Sequence, residues 1–145
     1  MTVLARAATA ADEARCLSLI EALTGRIATP AWRDVYRHLL TQERGTIHVA
    51  DEDGTILGVA TVSYNLAIRY DGEYAQLEEL IVDPAARGKN VGGLLVQTMV
   101  DAARARGCAE VGLYLIETTE HNRPFYAKYG FSVVGTEMRR SLRSA

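Results

Sequence analysis

The chain has 145 residues, 48% of them hydrophobic and 23% charged, with 16 Lys+Arg against 18 Asp+Glu for a net charge of −2. That composition suits one soluble domain, 1–145, with enough chain to bury a core, and it excludes a disordered chain or a strong basic field for nucleic acid or an acidic membrane. Apolar runs stop short of the ~18 residues of a membrane span. The N-terminal stretch lacks the apolar core of an export signal, and two cysteines, Cys16 and Cys108, make no multi-bridge scaffold, so a reduced cytoplasmic protein is expected.

Val3 to Ala7 alternates apolar and non-apolar residues and reads as a first strand. Thr9 is a helix cap, with Asp12 and Glu13 placed to suit the helix dipole. Leu17, Ile20, Leu23 and Ile27 recur at helical steps, and Gly25 stops this helix near Thr24. Thr29-Pro30 opens a second helix with Trp32, Val35, Tyr36, Leu39 and Leu40 on its apolar face, ending at Gly45. Thr46 to Ala50 is strand-like; Asp53-Gly54 is a hairpin signal, and Ile56 to Leu66 is the return strand. Asp71-Gly72 turns the chain into a third neighbour, Tyr74 to Val82, closed by Asp83-Pro84. Asn90 to Arg106 is a helix ended by Gly107. A buried-type strand over Glu110 to Ile116, a short helix around Asn122 to Tyr129 and a last strand over Phe131 to Met138 follow. The expected fold is α/β, with a partly antiparallel sheet.

Arg87-Gly88-Lys89-Asn90-Val91-Gly92-Gly93 lies between a strand and a long helix. Unpaired N–H groups at a helix N-terminus, with glycines that allow close approach, suit a phosphate or pyrophosphate. Neither a P-loop nor a dinucleotide fingerprint matches. His38, His48 and His121 lie far apart, no metal-ligand spacing occurs, and no metal is expected.

The segment Leu77 to Leu95, LEELIVDPAARGKNVGGLL, resembles the acetyl-CoA-binding motif of the GNAT family of N-acetyltransferases, Arg/Gln-x-x-Gly-x-Gly/Ala read from a strand into a helix. Pro124 to Phe131, PFYAKYGF, resembles that family's second signature, and the element order agrees over nearly the whole chain. Asn90 stands where the family usually has its first Gly; Asn tolerates turn conformations, so the loop is expected to form. The R-G-x-N-V-G variant resembles aminoalkylphosphonate-type enzymes and points to small amines.

The resemblance implies a mixed, mostly antiparallel sheet flanked by helices with splayed central strands. It implies transfer of the acetyl group of acetyl-CoA, as cosubstrate, to a primary amine by direct attack in a ternary complex, with a small-molecule acceptor favoured over a peptide. The attacking ammonium must lose a proton to a carboxylate. Glu78 is the favoured base and Glu79 the reserve; strand alternation lets only one of the pair face the cleft. Backbone groups of Leu80, Ile81 and Val82 meet the pantetheine and the oxyanion. Residues Arg87, Gly88, Lys89, Asn90, Val91, Gly92 and Gly93 cradle the pyrophosphate, and Tyr126 protonates the leaving thiolate. Thr119 occupies the place of the family's coenzyme A-contacting Asn, with Asn122 as the alternative. The region of the first two helices commonly walls the acceptor cleft, which brings in Trp32, Tyr36 and His38; Asp34, Glu43 and Glu73 are candidates to attract a cationic amine. Two other readings stay open: a non-catalytic acyl-CoA-binding sensor, and an interaction module of the same fold. A homodimer is also open.

Overall fold

The strand order follows from the turns. In the computed structural model, which describes residues 2–143, β2 (Gly45–Glu52) and β3 (Thr55–Ala67) are joined through Asp53 and Gly54 at φ 51° and 90°. Such left-handed pairs match the twist of adjacent antiparallel strands. β3 passes through a 3-10 turn, Ile68–Tyr70, and Asp71 at φ 57° into β4 (Gly72–Val82). β1 (Val3–Ala7) pairs antiparallel with β2, and β5 (Val111–Gly112) pairs parallel with β4, giving the order β1-β2-β3-β4-β5. The result is a mixed, mostly antiparallel five-stranded sheet flanked by helices.

α1 (Glu13–Thr24) ends on Gly25 at φ 71°, whose N–H reaches the Glu21 carbonyl at 2.8 Å. α2 (Pro30–Leu40) starts from the extended cap Thr29 with Pro at its first position, where the missing N–H costs nothing. Cys16, Leu17, Leu19 and Ile20 of α1 and Tyr36 of α2 pack against Ile47, Val49 and Val59. Alternation turns Gly58 to the opposite face, where a Cβ would lie 3.0 Å from Val91 and 3.1 Å from Leu95 of α3 (Val91–Arg106). The missing side chain lets α3 sit close to β3. Leu95, Val96 and Met99 are buried there, each contributing roughly 1.5–3 kcal/mol.

Three expectations are corrected. Gly45 does not end α2, which stops at Leu40; it opens β2, where a Cβ would stand 2.2 Å from the Val62 carbonyl oxygen. Sheet packing, not helix termination, requires this glycine. The strand expected over Glu110 to Ile116 pairs only at Val111 and Gly112. The strand expected over Phe131 to Met138 does not form: no ladder engages it among the described residues, and Val133, Val134 and Met138 are 67–96% exposed. Alternation makes a segment able to pair, but a strand needs a partner's N–H and C=O groups.

The chain divides into two compact units, one ending at Tyr114 and the other beginning at Leu115. The second contains a 3-10 turn, Glu117–Asn122, and α4 (Arg123–Ala127). Its rings cluster: Phe125 lies 5.0 Å from Tyr126 and 5.4 Å from Tyr129, and Tyr126 lies 6.1 Å from Phe131. No helix among the described residues is long and apolar enough to cross a membrane.

Candidate active site

The carboxylate pair is shaped by a break in the ladder. Thr61 pairs with Glu79 and Val62 pairs with Leu77, which leaves Glu78 as an extra residue on β4. Such a bulge re-aims side chains. The Ser63 hydroxyl donates to Glu78 Oε2 at 2.6 Å, and the Thr61 hydroxyl donates to Glu79 Oε1 in a short hydrogen bond. Thr61 and Ser63 are two residues apart on β3 and share a face, so both carboxylates are drawn to that face. This overturns the expectation that only one of the pair could be there. The face is the one packed by α1 and α2, because Val59, two residues before Thr61, belongs to their core.

The two acids differ in environment. Glu78 is exposed, whereas Glu79 is half-buried. Burial pushes the Glu79 carboxyl above the ordinary carboxylate range; the Thr61 O–H opposes this, and the neighbouring Glu78 charge adds to it. The Glu79 N–H also donates to Thr61 Oγ1 at 3.1 Å, so one hydroxyl serves both the main chain and the side chain of this residue.

Past the bulge, β4 has one occupied flank and one open one. The Asp83 N–H reaches the Leu57 carbonyl at 2.8 Å, which fixes the sense of alternation. Ile81 therefore turns its main-chain groups into the β3 ladder, while Leu80 and Val82 turn theirs away from it. On that outer flank β5 pairs only with Ala75 and Gln76, and no strand continues along Leu80–Val82 among the described residues. The expectation for Leu80, Ile81 and Val82 thus divides: Ile81 is committed to the ladder, and the other two have main-chain groups to offer.

β4 leads into a 3-10 turn, Pro84–Ala86, in which Asp83 Oδ1 accepts from the Ala85 N–H at 2.9 Å. Gly88 has φ 85°, and Asn90 caps α3 at φ 53°. Asn is among the few non-glycine residues that adopt this region readily, so the loop closes without the family's usual glycine. The Asn90 side chain makes no cap hydrogen bond. The first-turn N–H groups, including those of Val91, Gly92 and Gly93, are left for a ligand, and the helix dipole favours an anion there. Two basic residues flank this end. Lys89 is engaged by Glu52, Nζ to Oε1 2.8 Å, while Arg87 is exposed and meets no carboxylate among the described residues. The open amides, the positive-φ loop and the free flank of β4 fit a diphosphate joined to an amide-bearing arm.

A cleft of about 370 Å³ lies on the α2 side, lined by Asp34, Val35, His38, Leu39, Arg44 and Ser63. Ser63 links it to the carboxylates through Glu78, and Asn65 Nδ2 donates to Ser63 Oγ at 3.0 Å. Of the acceptor-wall candidates, His38 lines this cleft, and so does Asp34 of the residues expected to attract a cationic amine. Tyr36 is buried and donates its hydroxyl to the Thr9 carbonyl at 2.7 Å, and Trp32 packs against the core. Glu73 is held by Arg106 at 2.8 and 3.2 Å, and the Glu43 carbonyl accepts from the same guanidinium. Cys16 is fully buried and its thiol is pushed up to about 11, which suits packing and not nucleophilic attack. Sequence reasoning missed Thr61, Ser63, Arg44 and the bulge itself; two hydroxyls two apart on the return strand were the signal for Thr61 and Ser63, and no local pattern marked Arg44 or the bulge.

In the second unit, the Thr119 hydroxyl is used locally: it accepts from the Ile116 N–H at 3.0 Å and donates to the Ile116 carbonyl at 3.2 Å. Asn122 precedes α4 as its cap residue. Tyr126 is packed edge-on against Phe125 and Phe131, and burial raises its hydroxyl above the ordinary tyrosine value.

A sequence profile described as the Acetyltransferase (GNAT) family matches residues 10–131. A glucosamine 6-phosphate N-acetyltransferase of Trypanosoma brucei brucei is 30% identical over 90 residues, covering 61% of this chain and 59% of that protein. Glucosamine 6-phosphate N-acetyltransferase 1 of Oryza sativa subsp. japonica is 39% identical over 71 residues, 49% of this chain and 41% of that protein. The matches thus span about half the length of these curated relatives. The crystal structure of glucosamine-6-phosphate N-acetyltransferase from Arabidopsis thaliana superposes with a TM-score of 0.82 at 23% identity, covering 99% of this chain and all of that one, and so shares the fold.

Proposed function

This chain belongs to the GNAT acetyltransferase family, and we propose that it transfers the acetyl group of acetyl-CoA to the primary amine of a small molecule by direct attack in a ternary complex. The observation that carries this reading is the convergence at the end of β4. An open helix N-terminus, a free strand flank and two carboxylates on one face lie within a single strand–loop–helix run. A cleft of about 370 Å³ is of small-ligand size and supports a small acceptor over a peptide.

Acetyl-CoA supplies the activated acyl carbonyl; the chain supplies position and proton movement. The N–H groups of Val91, Gly92 and Gly93, with Arg87, bind the diphosphate. The outward groups of Leu80 and Val82 satisfy the amides of the pantetheine arm and donate to the carbonyl oxygen as negative charge develops on it. Glu79 takes the proton of the attacking ammonium. The family resemblance favours Glu78, but the raised affinity of Glu79 for a proton makes it the better matched base, since efficiency rises as the base approaches the working pH. Glu78, exposed and hydrogen-bonded by Ser63, attracts the cationic amine. Tyr126 gives its proton to the departing thiolate. Lys89 serves as a brace to β2 through Glu52.

Calorimetry with coenzyme A, followed by thiol release from acetyl-CoA across a panel of amines including glucosamine 6-phosphate, the compound its relatives are named for, tests the proposal. Binding together with thiol release is expected. Binding without release from any amine makes the chain an acyl-CoA sensor, and the absence of binding by folded protein removes the cofactor site altogether.

A further inference from the structure

The acceptor cleft carries both signs of charge. Asp34 lies on its wall and Glu78 joins its floor through Ser63, yet Arg44 lines the same space. Two other arginines of this unit are neutralised by carboxylates: Arg37 on α2 pairs with Glu13 at 3.1 Å, and Arg106 pairs with Glu73 at 2.8 Å. Arg44 meets no carboxylate among the described residues, although Asp34 lines the same cleft. Its guanidinium is charged at every physiological pH.

Arg44 is also held in place by its backbone. Its carbonyl accepts from the Tyr64 N–H at 2.9 Å, and the next residue, Gly45, pairs with Ser63. Gly45 is locked there, since a Cβ would meet the Val62 carbonyl at 2.2 Å. The backbone that carries Arg44 is therefore anchored beside the strand whose Ser63 hydroxyl binds Glu78, and Arg44 lines the cleft from there. A cleft built for a simple amine or a polyamine would gain from carboxylates alone, and Arg44 would repel such a ligand. Two ladder spacings, roughly 10 Å, separate the backbones of β2 and β4, so a short molecule with opposite charges at its ends meets both.

Resting on the transferase reading, we propose that this cleft selects an amine that also carries an anionic group, a carboxylate, phosphonate or phosphate, with Arg44 holding the anion and the Glu78–Glu79 side receiving the ammonium. Guanidinium pairs with all three anions through charge-assisted hydrogen bonds. His38, on the same wall, is a second donor to the anion, and Asp34 favours the ammonium end.

Matched acceptors test this: 2-aminoethylphosphonate and β-alanine (anionic tails), ethanolamine (neutral) and 1,3-diaminopropane (cationic). The expected result is a kcat/KM for an anionic amine about tenfold or more above the neutral one, with the diamine poorest. Arg44→Ala should lower the anionic-to-neutral ratio about tenfold, chiefly through KM, and Arg44→Lys should restore part of it; Arg44→Glu should bring the diamine above 2-aminoethylphosphonate. Calorimetric binding of 2-aminoethylphosphonate to the coenzyme A-loaded protein provides a readout without turnover. Arg44-dependent binding with no thiol release from any amine would end the transferase reading and keep this one. Thiol release with no preference for the anionic amines, or with the same preference after Arg44→Ala, would overturn the inference and leave the transferase intact.

Discussion

Arg15 on α1 reaches Asp83 at the end of β4, Nη2 to Oδ2 2.5 Å, and its Nε donates to the Ile56 carbonyl at 3.2 Å. Asp83 is thereby held on three sides: its carboxylate receives Arg15 and the Ala85 N–H, and its own N–H binds Leu57. The backbone N–H of Ala85 and then the Arg15 guanidinium keep its carboxyl below the usual carboxylate range. The contact ties the first helix to the point where the loop before α3 begins.

Arg15→Ala should therefore weaken coenzyme A binding several-fold while the far-ultraviolet spectrum is retained, with Arg15→Lys intermediate. A dissociation constant equal to wild type in calorimetry would separate this ion pair from the loop. Because both side chains are partly exposed, high salt should narrow the difference between wild type and variant.

Glu79 makes a prediction in pH. With its carboxyl raised above the free value of ~4.3, kcat/KM should climb with pH through a correspondingly raised apparent pKa, since only the carboxylate accepts the proton. Thr61→Val removes the O–H donor that opposes the shift, so the acid limb should move further up; an unmoved limb would detach Glu79 from catalysis. Glu79→Gln should cost about 10²-fold in kcat with coenzyme A affinity retained, and Glu78→Gln should cost less.

The same shift bears on stability. A group whose folded pKa lies above its unfolded value favours folding fully below the unfolded value, and that contribution is lost as pH rises through the folded one. The charged Glu79 side chain is thus a liability at neutral pH, and Glu79→Gln should raise Tm at pH 7 by more than at pH 4. Equal shifts at both pH values would show that Glu79 titrates normally.

Gly45→Ala should be costly although it adds one methyl group. The atom it would strike is a backbone carbonyl of the paired strand, which cannot swing aside like a side chain. A loss of about 2 kcal/mol in urea unfolding is expected; a neutral result would mean that the β2–β3 ladder is looser than the Gly45–Ser63 pairing implies.

For Tyr126, replacement by Phe keeps the ring packing with Phe125 and Phe131 and removes only the hydroxyl. Turnover should fall about 10²-fold while coenzyme A binding holds; unchanged turnover assigns the leaving thiolate's proton to another donor.

Much of the architecture was legible along the chain because it depends on neighbours in sequence. Gly25 and Gly107 stop helices at φ 71° and 92°, Asp53-Gly54 makes the hairpin, Thr29-Pro30 starts α2, and Asn90 accepts the conformation that the loop needs. The glycine-rich turn before α3 was visible for the same reason: open amides and positive φ are local properties.

What only the tertiary structure decided concerns partners distant in sequence. Period-two alternation placed Glu78 and Glu79 on opposite faces, but one unmatched residue in the β3–β4 register brings both toward Thr61 and Ser63. Gly45 has the local pattern of a helix stop but is required by the Val62 carbonyl across the ladder, and Phe131 to Met138 alternates like a strand yet has no ladder among the described residues. Arg44, just before β2, and Asp34 on α2 line one cleft with Ser63 of β3 because the fold brings these separate segments together. Backbone conformation is set by adjacent residues, so the sequence by itself determined the turns, caps and helices. Register, burial and charge pairing depend on which distant segments meet, and folding alone decided those.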